Sequence, residues 1–315
     1  MCASLLPSFD RPLRSLILAA ADNRTARRFV TKYGFRLGAA RFVAGETTDD
    51  FLRAAAAANA QGFAVACGIL GEGVRDPSDA RAAAREYCEL LHEFAARGLD
   101  ANAAFKLTHV GLDLDPELAY ENAFAIARAA EETSNVVRLD MEQSRYVDAT
   151  LNVYRRLHQR FEGVGFVLQS CLRRSADDLR SMLPLRPNVR LVKGAYLEPS
   201  AIAYDRKTDV DANYLRLAEM ALSGEGYTAI ATHDAGIVAH VEDFARRRGL
   251  RKRGRFEFQM LYGIAAPLAR ELVERGYRVR LAIPFGRYWF PYLMRRLAER
   301  PANLAFFLKG VLARR

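Results

Sequence analysis

The amino-acid sequence predicts an α/β fold, a (βα)8 TIM-type barrel. From residue 62 onward, short β-branched or apolar runs alternate with longer amphipathic stretches, which indicates parallel strands joined by crossover helices. Eight such units fill about 240 residues, close to the usual length of this barrel. A doubly wound sheet is the competing fold, but its glycine-rich phosphate turn is missing after the first apolar run.

The predicted strands are short runs rich in β-branched, aromatic or other apolar side chains. They cover residues 62–66, 103–107, 136–140, 165–169, 189–193, 228–232, 255–259 and 278–282. The stretches between them repeat apolar residues at helical spacing. Examples of these predicted helices cover residues 80–97, 116–132, 146–161, 211–223 and 267–275. The sequence shows no internal repeat beyond this strand-helix period.

Residues 1–60 are predicted to form an N-terminal helical segment packed on the barrel, and residues 61–315 the barrel domain. The alanine-rich stretch 51–60 leads into the first strand as a helix. The apolar run 16–21 is too short to span a bilayer, and no small-residue cleavage pattern follows it. We therefore expect a cytoplasmic protein, with peripheral contact at the inner face of the cell membrane as an open alternative.

The formal net charge of +10 suits a negatively charged partner, such as nucleic acid or an anionic membrane. The densest basic run covers residues 246–255, with seven basic side chains in ten positions and no aromatic residue among them. Such runs are usually solvated surfaces, so we expect no nucleic-acid binding and consider weak attraction to an acidic membrane more plausible. DNA binding through this run stays an alternative, which salt-sensitive retention on DNA would reveal.

The cysteines and histidines argue against disulfides and metal sites. Cys2, Cys67, Cys88 and Cys171 lack CxxC spacing, so we expect reduced thiols. The five histidines contain no HExxH motif, and only His233 lies at a predicted strand end beside a carboxylate, so we expect no metal. Nucleophilic catalysis is also disfavoured, because the sequence has no GxSxG and Cys171 has no evident activating base.

Polar side chains end most of the predicted strands. In this fold the carboxyl ends of the strands meet at one face, which carries the catalytic groups. Any one of these residues alone has an equally good interpretation as a structural salt bridge or a loop residue, but together they predict a polar mouth of ligand size. They are Glu72, Lys106, Thr108, Asp140, Gln169, Arg190, Lys193, Thr232, His233, Asp234, Glu257 and Gln259.

The segment 288–300 predicts a short C-terminal helix with two adjacent arginines. Pro291 suits the first turn of a helix, and the proline at position 301 discourages its continuation. Arg295 and Arg296 would project about 100° apart, with Glu299 four residues after Arg295. Two adjacent guanidinium groups suit a carboxylate ligand. The alternative interpretation is a solvated basic face.

Eight strings, in the same order along the chain, resemble the FAD-dependent proline dehydrogenases of the single-function bacterial type. The most specific are RLVKGAYLEP at 190–199 and FEFQMLYGI at 256–264. The others are RFVAGET at 41–47, LGEGV at 70–74, KLT at 106–108, RLDME at 138–142, ATHD at 231–234 and RRLAERPAN at 295–303. The resemblance runs from about residue 41 to 308 and implies a (βα)8 barrel with FAD at its mouth and the last helix over the active site.

The resemblance also implies roles for individual residues. Lys106, Asp140 and Arg190 match catalytic positions, with Arg190 near flavin N5, and Lys106 and Asp140 can share a hydrogen-bonded pair. The implied flavin contacts are Arg190, Gln169, Lys193, Gly194, Ala195, Thr232, His233 and Glu299. The implied substrate contacts are Tyr196, Leu261, Ala282, the carboxylate-binding pair Arg295 and Arg296, and Glu72, which closes the pocket. Glu299 also matches the residue that braces the second of these arginines. The family oxidises L-proline to 1-pyrroline-5-carboxylate and passes the electrons to a membrane quinone.

The sequence departs from the family pattern around the implied pocket. Ala282 stands where family members usually have a tyrosine against the substrate ring, and Cys171 replaces an aromatic residue. Gly68 stands where an acidic residue is expected, and His109 where glutamine is common. A wider pocket leaves hydroxyproline or another cyclic or secondary amine as the alternative substrate. A catalytically silent, flavin-binding regulatory barrel is the alternative from a different class.

Overall fold

The computed structural model describes residues 39–71 and 73–299, with side chains described from 40 to 294 within these ranges. Eight parallel strands form a closed barrel in chain order, with the last strand paired to the first. They are β1 (Ala64–Ile69), β2 (Ala101–Lys106), β3 (Val137–Asp140), β4 (Val164–Gln169), β5 (Asn188–Val192), β6 (Tyr227–Ala231), β7 (Phe256–Leu261) and β8 (Val279–Phe285). The predicted (βα)8 fold is confirmed, and each predicted strand overlaps an observed one.

Nine α-helices lie among the described residues. They are α1 (Thr48–Ala60), α2 (Pro77–Ala96), α3 (Pro116–Glu132), α4 (Val147–His158), α5 (Ser175–Met182), α6 (Lys207–Ser223), α7 (Ala235–Arg247), α8 (Ala266–Glu274) and α9 (Trp289–Glu299). Helix α1 begins three residues before the predicted stretch because Thr47 and Asp50 form a capping box. The rest of the predicted N-terminal segment, residues 1–38, lies outside the described residues. No helix in the described part has the length and apolar character needed to cross a membrane.

The barrel interior contains buried charged side chains, which are hydrogen-bonded to one another or to neutral polar groups. Arg138 Nη2 donates to Asn188 Oδ1 at 2.5 Å, and Arg280 Nε donates to Glu257 Oε1 at 2.8 Å. Glu257 is only 1% exposed. The prediction that it ends its strand at the mouth is wrong, because β7 continues two residues beyond Gln259 and leaves Glu257 deep in the interior.

A segment before α1 holds the carboxyl ends of β7 and β8 in place. The Ala44 amide donates to Pro284 O at 2.9 Å, and the Gly286 amide donates to Gly45 O at 3.0 Å. Gly263 has a φ of +74°, and a Cβ there would lie 1.9 Å from the carbonyl oxygen of Arg41. Only glycine fits so close a backbone contact.

Helix α9 follows β8 directly and confirms the predicted C-terminal helix. Trp289, Phe290 and Leu293 are buried, so one face of α9 packs on the barrel. The Trp289 Nε1 donates to Glu46 Oε1 at 2.7 Å, which ties the helix to the segment before α1. Pro291 lies in the first turn, as predicted, where its missing amide hydrogen costs no helical hydrogen bond.

The basic run 246–255 lies at the amino-terminal end of β7, opposite the mouth. All of its charged side chains are exposed, which confirms the expected solvated surface. Arg246 and Arg247 pair with Asp243, and Lys252 Nζ donates to the Arg275 carbonyl at 2.8 Å. Part of its charge is therefore balanced or hydrogen-bonded within the protein.

Candidate active site

Arg190 lies inside the barrel, two residues before the carboxyl end of β5. Its side chain projects from β5 and is 12% exposed. Asp140 on β3 accepts a hydrogen bond from Nη2, and Gln259 on β7 accepts one from Nη1 at 3.5 Å. Ala229, its register partner on β6, is small and leaves room for the guanidinium to reach across the barrel. One arginine thus joins three strands inside the barrel.

A buried donor of this arginine favours a ligand beside it. The Nε atom of Arg190 has no hydrogen-bond partner among the described residues, although it is buried. A buried donor without an acceptor costs about 1–3 kcal/mol. A ligand with acceptor atoms, such as an isoalloxazine ring or a carboxylate, therefore fits this position.

Asp140 and Lys106 end neighbouring strands at the same height. The two residues are register partners across the β2–β3 ladder, and both side chains are half-buried. Asp140 accepts from Arg190, so its negative charge offsets the guanidinium. The structure brings Asp140 and Arg190 into contact and places Lys106 beside Asp140, while the catalytic roles of all three stay predictions. The hydrogen bond between Lys106 and Asp140 stays a prediction.

Gln169 is held by the backbone of Glu142, a residue that was not among the predicted site residues. Its Nε2 donates to the Glu142 carbonyl oxygen at 2.9 Å. The buried Glu142 side chain in turn accepts from the Thr108 hydroxyl at 2.6 Å and from the Thr108 amide at 3.2 Å. These bonds join the ends of β2, β3 and β4. The signal was present in the sequence, since Glu142 closes the string RLDME directly after a strand.

The loop after β5 presents exposed backbone at the mouth. Gly194 and Ala195 are exposed, and Gly194 has a φ of +109°. A Cβ on Gly194 would lie 2.3 Å from Cys171 Sγ and 3.3 Å from Gln169 Oε1. This glycine therefore lets the loop lie against β4 while its backbone faces outward. Such a cradle suits the close approach of a planar or phosphorylated cofactor.

Lys193 begins this loop and pairs with two carboxylates. Its Nζ lies 2.5 Å from Asp211 Oδ1 and 3.2 Å from Asp234 Oδ2. Asp234 also caps α7 by accepting from the Gly236 amide. Burial alone would raise the pKa of Asp234, but the hydrogen bond and charge of Lys193 lower it. Lys193 thereby holds the β5 loop against α6 and the β6 loop.

His233 connects the ends of β6 and β7. Its Nε2 accepts from the Leu261 amide at 2.9 Å, so a neutral ring carries its proton on Nδ1. Thr232, the residue before it, is buried, and its hydroxyl accepts from the Asp234 amide at 3.1 Å. Both residues lie at the mouth, where the sequence placed them.

The β1–β8 side of the mouth is lined by small side chains. Ala282 is the register partner of Leu261 on β7 and of Ala66 on β1. Because side chains alternate along a strand, Ala282 shares the inward face of Arg280. A Cβ built on Gly68 would have no heavy atom within 4 Å. This wall therefore leaves open space beside the pocket.

Four predicted site side chains lie outside the described part. Glu72 is not described, and Arg295, Arg296 and Glu299 are described only as backbone within α9. Tyr196 is described and half-buried in the β5 loop. Their predicted contacts with a substrate or cofactor stay predictions.

Burial shifts the pKa values of an interior arginine and of a thiol beside the loop after β5. Burial, and then the neighbouring charge of Arg190, lower the pKa of Arg138 to about 10, so it remains a cation at neutral pH. Burial raises the pKa of the Cys171 thiol to about 11, so this thiol is protonated. In the barrel interior, Arg190 is paired with Asp140 and Arg280 with Glu257, whereas Arg138 is hydrogen-bonded to the neutral Asn188 side chain.

Fold and site together define a (βα)8-barrel enzyme with a preorganised cation inside the barrel. Residues 51–309 match the family model described as proline dehydrogenase, and the chain belongs to the proline dehydrogenase family. This confirms the resemblance inferred from the motifs.

Relatives support this assignment over nearly the whole chain. Proline dehydrogenase 1 of Bacillus subtilis is 41% identical over 300 residues, covering 95% of this chain and 99% of the relative. Proline dehydrogenase of Deinococcus radiodurans is 40% identical over 308 residues, covering 96% and 99%. The single-function type is therefore confirmed. The crystal structure of proline utilization A from Bdellovibrio bacteriovorus, inactivated by N-propargylglycine, has a TM-score of 0.79 at 26% identity, covering 93% of this chain and 36% of that one.

Proposed function

We propose that this protein oxidises L-proline to 1-pyrroline-5-carboxylate with FAD as its cofactor and passes the electrons to a quinone. The observation that carries the proposal is the half-buried Arg190, held between Asp140 and Gln259 inside a barrel that belongs to this family. When bound, FAD would supply the acceptor for a hydride from the ring carbon next to the proline nitrogen. Positioning and electrostatics are left to the protein.

Arg190 supplies the electrostatic part. Its charge lies in a partly water-excluded site, where a fixed cation stabilises developing negative charge more strongly than water does. The hydrogen bonds to Asp140 and Gln259 fix the guanidinium before substrate arrives. Little reorganisation is then needed during the reaction.

The cofactor would be held by groups from three strand ends. Gly194 and Ala195 offer exposed backbone, and Gln169, Thr232 and His233 surround the same side of the mouth. Lys193 braces the loop through Asp211 and Asp234. Glu299, on α9, completes the proposed set.

Substrate would lie between the mouth and α9. Arg295 and Arg296 bind its carboxylate, Glu72 closes the pocket, and Tyr196, Leu261 and Ala282 line the ring. Lys106 and Asp140 hold the amine, which must lose its proton before its lone pair can drive hydride loss. The half-buried Lys106 and Asp140 lie side by side, as this step requires.

The decisive experiment is an anaerobic titration followed at the flavin absorbance band. The purified protein should be yellow and should bleach with L-proline. A panel of both 4-hydroxyproline isomers, pipecolate and simple secondary amines tests the alternative that the wall at Ala282 and Gly68 admits a larger ring. If one of these amines bleaches the flavin faster than L-proline does, that amine is the preferred substrate. A protein that stays yellow with all of them would be a silent, regulatory barrel.

The exposed apolar side chains support delivery of electrons at a membrane. Among the described residues, four of the five exposed large apolar side chains lie on loops at the mouth: Leu114, Leu197, Ile202 and Tyr288. Leu197 is 77% exposed. The basic run 246–255 lies at the opposite end, so binding through it would turn the mouth away from the bilayer. We therefore place the peripheral contact at the mouth of a cytoplasmic protein.

Binding to lipid vesicles tests this orientation. Replacing Leu197 and Ile202 with serine should weaken sedimentation with anionic vesicles and slow reduction of a vesicle-borne quinone. The matched control is Leu185→Ser, which alters an exposed leucine at the other end of the barrel. Equal effects of both changes would contradict the proposed orientation. No retention on DNA at physiological salt is expected from any of these proteins.

A further inference from the structure

A line of polar contacts crosses the barrel interior beneath the mouth. Arg280 Nε on β8 donates to Glu257 Oε1 on β7 at 2.8 Å. Gln259 Nε2, two residues along the same strand, donates to this same oxygen at 2.6 Å. The Oε1 atom of Gln259 then accepts from Arg190 Nη1 on β5, and Asp140 on β3 accepts from Nη2. Four strands are thus joined through the side chain of Gln259.

Glu257 decides which way the Gln259 amide points. Burial alone would raise the pKa of Glu257, but the charge and hydrogen bond of Arg280 outweigh it and lower this pKa to about 2. An ionised carboxylate only accepts hydrogen bonds. The amide nitrogen of Gln259 must therefore face Glu257, and its carbonyl oxygen must face Arg190. If the amide were flipped, its NH2 group would face the N–H donors of Arg190, and its oxygen would face the negatively charged oxygen of Glu257.

We propose that Gln259 is a positioning residue for Arg190, oriented by the buried carboxylate of Glu257. This inference rests on the proposed function, in which Arg190 stabilises negative charge on the reduced cofactor. Neither Gln259 nor Glu257 touches the reacting atoms in this role. Asp140 accepts from Nη2 and Gln259 accepts from Nη1 at 3.5 Å, so the two acceptors lie at the two terminal nitrogens of the guanidinium.

A single hydrogen bond does not fix the orientation of the Arg190 guanidinium. With Asp140 alone, Arg190 could rotate about the Nη2 contact and draw away from the mouth. Gln259 is 2% exposed, so water does not readily replace it. Losing its carbonyl would leave Nη1 short of an acceptor in a buried setting, which favours a different side-chain conformation.

Gln259→Met is the first test, because methionine has nearly the same length and no amide. Anaerobic stopped-flow should show flavin reduction by saturating proline slowed about tenfold, with the proline concentration for half-saturation changed less than threefold. Spectroelectrochemistry should show a lower flavin midpoint potential. A tenfold shift of the two-electron equilibrium toward oxidised flavin corresponds to a decrease of about 30 mV. Gln259→Asn, one methylene shorter, should behave similarly if the methionine variant does not fold.

The matched control is Asn122→Leu. Asn122 is also a buried amide, but it lies on α3 and donates to the Val110 carbonyl at 2.9 Å, outside the barrel interior. This variant should lower the melting temperature and leave the flavin potential and reduction rate unchanged. If the Gln259 variants change only the melting temperature, as the control does, Gln259 is structural and the proposal is overturned.

Failure of the proposed function gives a different result. In that case the wild-type protein itself would be colourless, or its flavin would not be reduced by proline or any amine of the panel. If wild-type flavin is reduced normally and the Gln259 variants keep its potential, only the positioning role is overturned.

Discussion

Leu261 and Ala282 are register partners across the β7–β8 ladder at the mouth of the barrel. The side chain of Ala282 is half-buried, and the neighbouring strand contributes only Ala66 and Gly68 to this wall. Alanine and glycine therefore form this wall, and they leave the pocket wide on this side.

Ala282→Tyr should narrow this pocket. We expect kcat/KM for hydroxyproline, divided by kcat/KM for proline, to fall about tenfold. One small substrate group that a pocket accommodates or excludes changes such a ratio by about 1–3 kcal/mol. Steady-state kinetics with both substrates measure this ratio. An unchanged ratio would show that the open space does not receive the substrate ring.

Arg190→Lys should preserve charge and lose function. A lysine ammonium cannot make the two separate contacts that Arg190 makes with Asp140 and Gln259. We expect kcat to fall about a hundredfold, the size of effect typical of losing one preorganised electrostatic group. The flavin midpoint potential, measured in the same variant, should fall as well. Full activity with lysine would mean that charge alone is sufficient.

Acid should remove the stabilisation that Glu257 provides. The pKa of this carboxyl is lowered from its ordinary value of 4.5 to about 2 in the folded protein. The unfolded chain therefore takes up the proton first as pH falls, and the contribution is complete above pH 4.5 and lost as pH falls through about 2. A shift of this size corresponds to about 3 kcal/mol.

Denaturant unfolding at several pH values tests this linkage in Glu257→Gln. The variant should be less stable at neutral pH, because Arg278 and Arg280, which pair with Glu257, then face a neutral amide. Its free energy of unfolding should also depend less on pH between about 4.5 and 2 than that of the wild type. Parallel curves for both proteins would contradict the low pKa.

Gly194→Ala should release the cofactor. The added methyl group would meet Cys171 Sγ at 2.3 Å, and the φ of +109° strains any other residue. Gly98→Ala is the control, because Gly98 also has a positive φ, +60°, but its Cβ would have no atom within 4 Å. Both variants should lose stability, whereas only Gly194→Ala should lose bound flavin, read as the absorbance ratio of flavin to protein.

Arg295→Ala and Arg296→Ala should each raise KM for proline by about tenfold to a hundredfold. A charge-assisted hydrogen bond to a carboxylate contributes about 1.5–3 kcal/mol when water is excluded. Arg270→Ala, an exposed arginine on α8, should leave KM unchanged. Unchanged steady-state kinetics in both α9 variants would reject the carboxylate assignment.

The sequence alone determined the barrel and most of the residues at its mouth. Strand-helix alternation follows from local periodicity, and in this fold every residue that ends a strand faces the same end. That is why Lys106, Asp140 and Gln169 were predicted together without knowledge of any distance between them. Arg190 was predicted with them, although β5 continues two residues beyond it. The family followed from strings such as RLVKGAYLEP, whose order along the chain is itself sequence information.

Only the tertiary structure decided which side chains contact each other. Glu257 and Gln259 are two residues apart on one strand, yet one neutralises the buried Arg280 while the other reaches Arg190 near the mouth. Because β7 ends two residues later than predicted, Glu257 lies in the barrel interior and not at the mouth. The tie between Gln169 and Glu142 likewise joins different strands. Local pattern specifies which face a side chain takes, but its height in the barrel and its partner depend on the register between strands, which no single segment encodes.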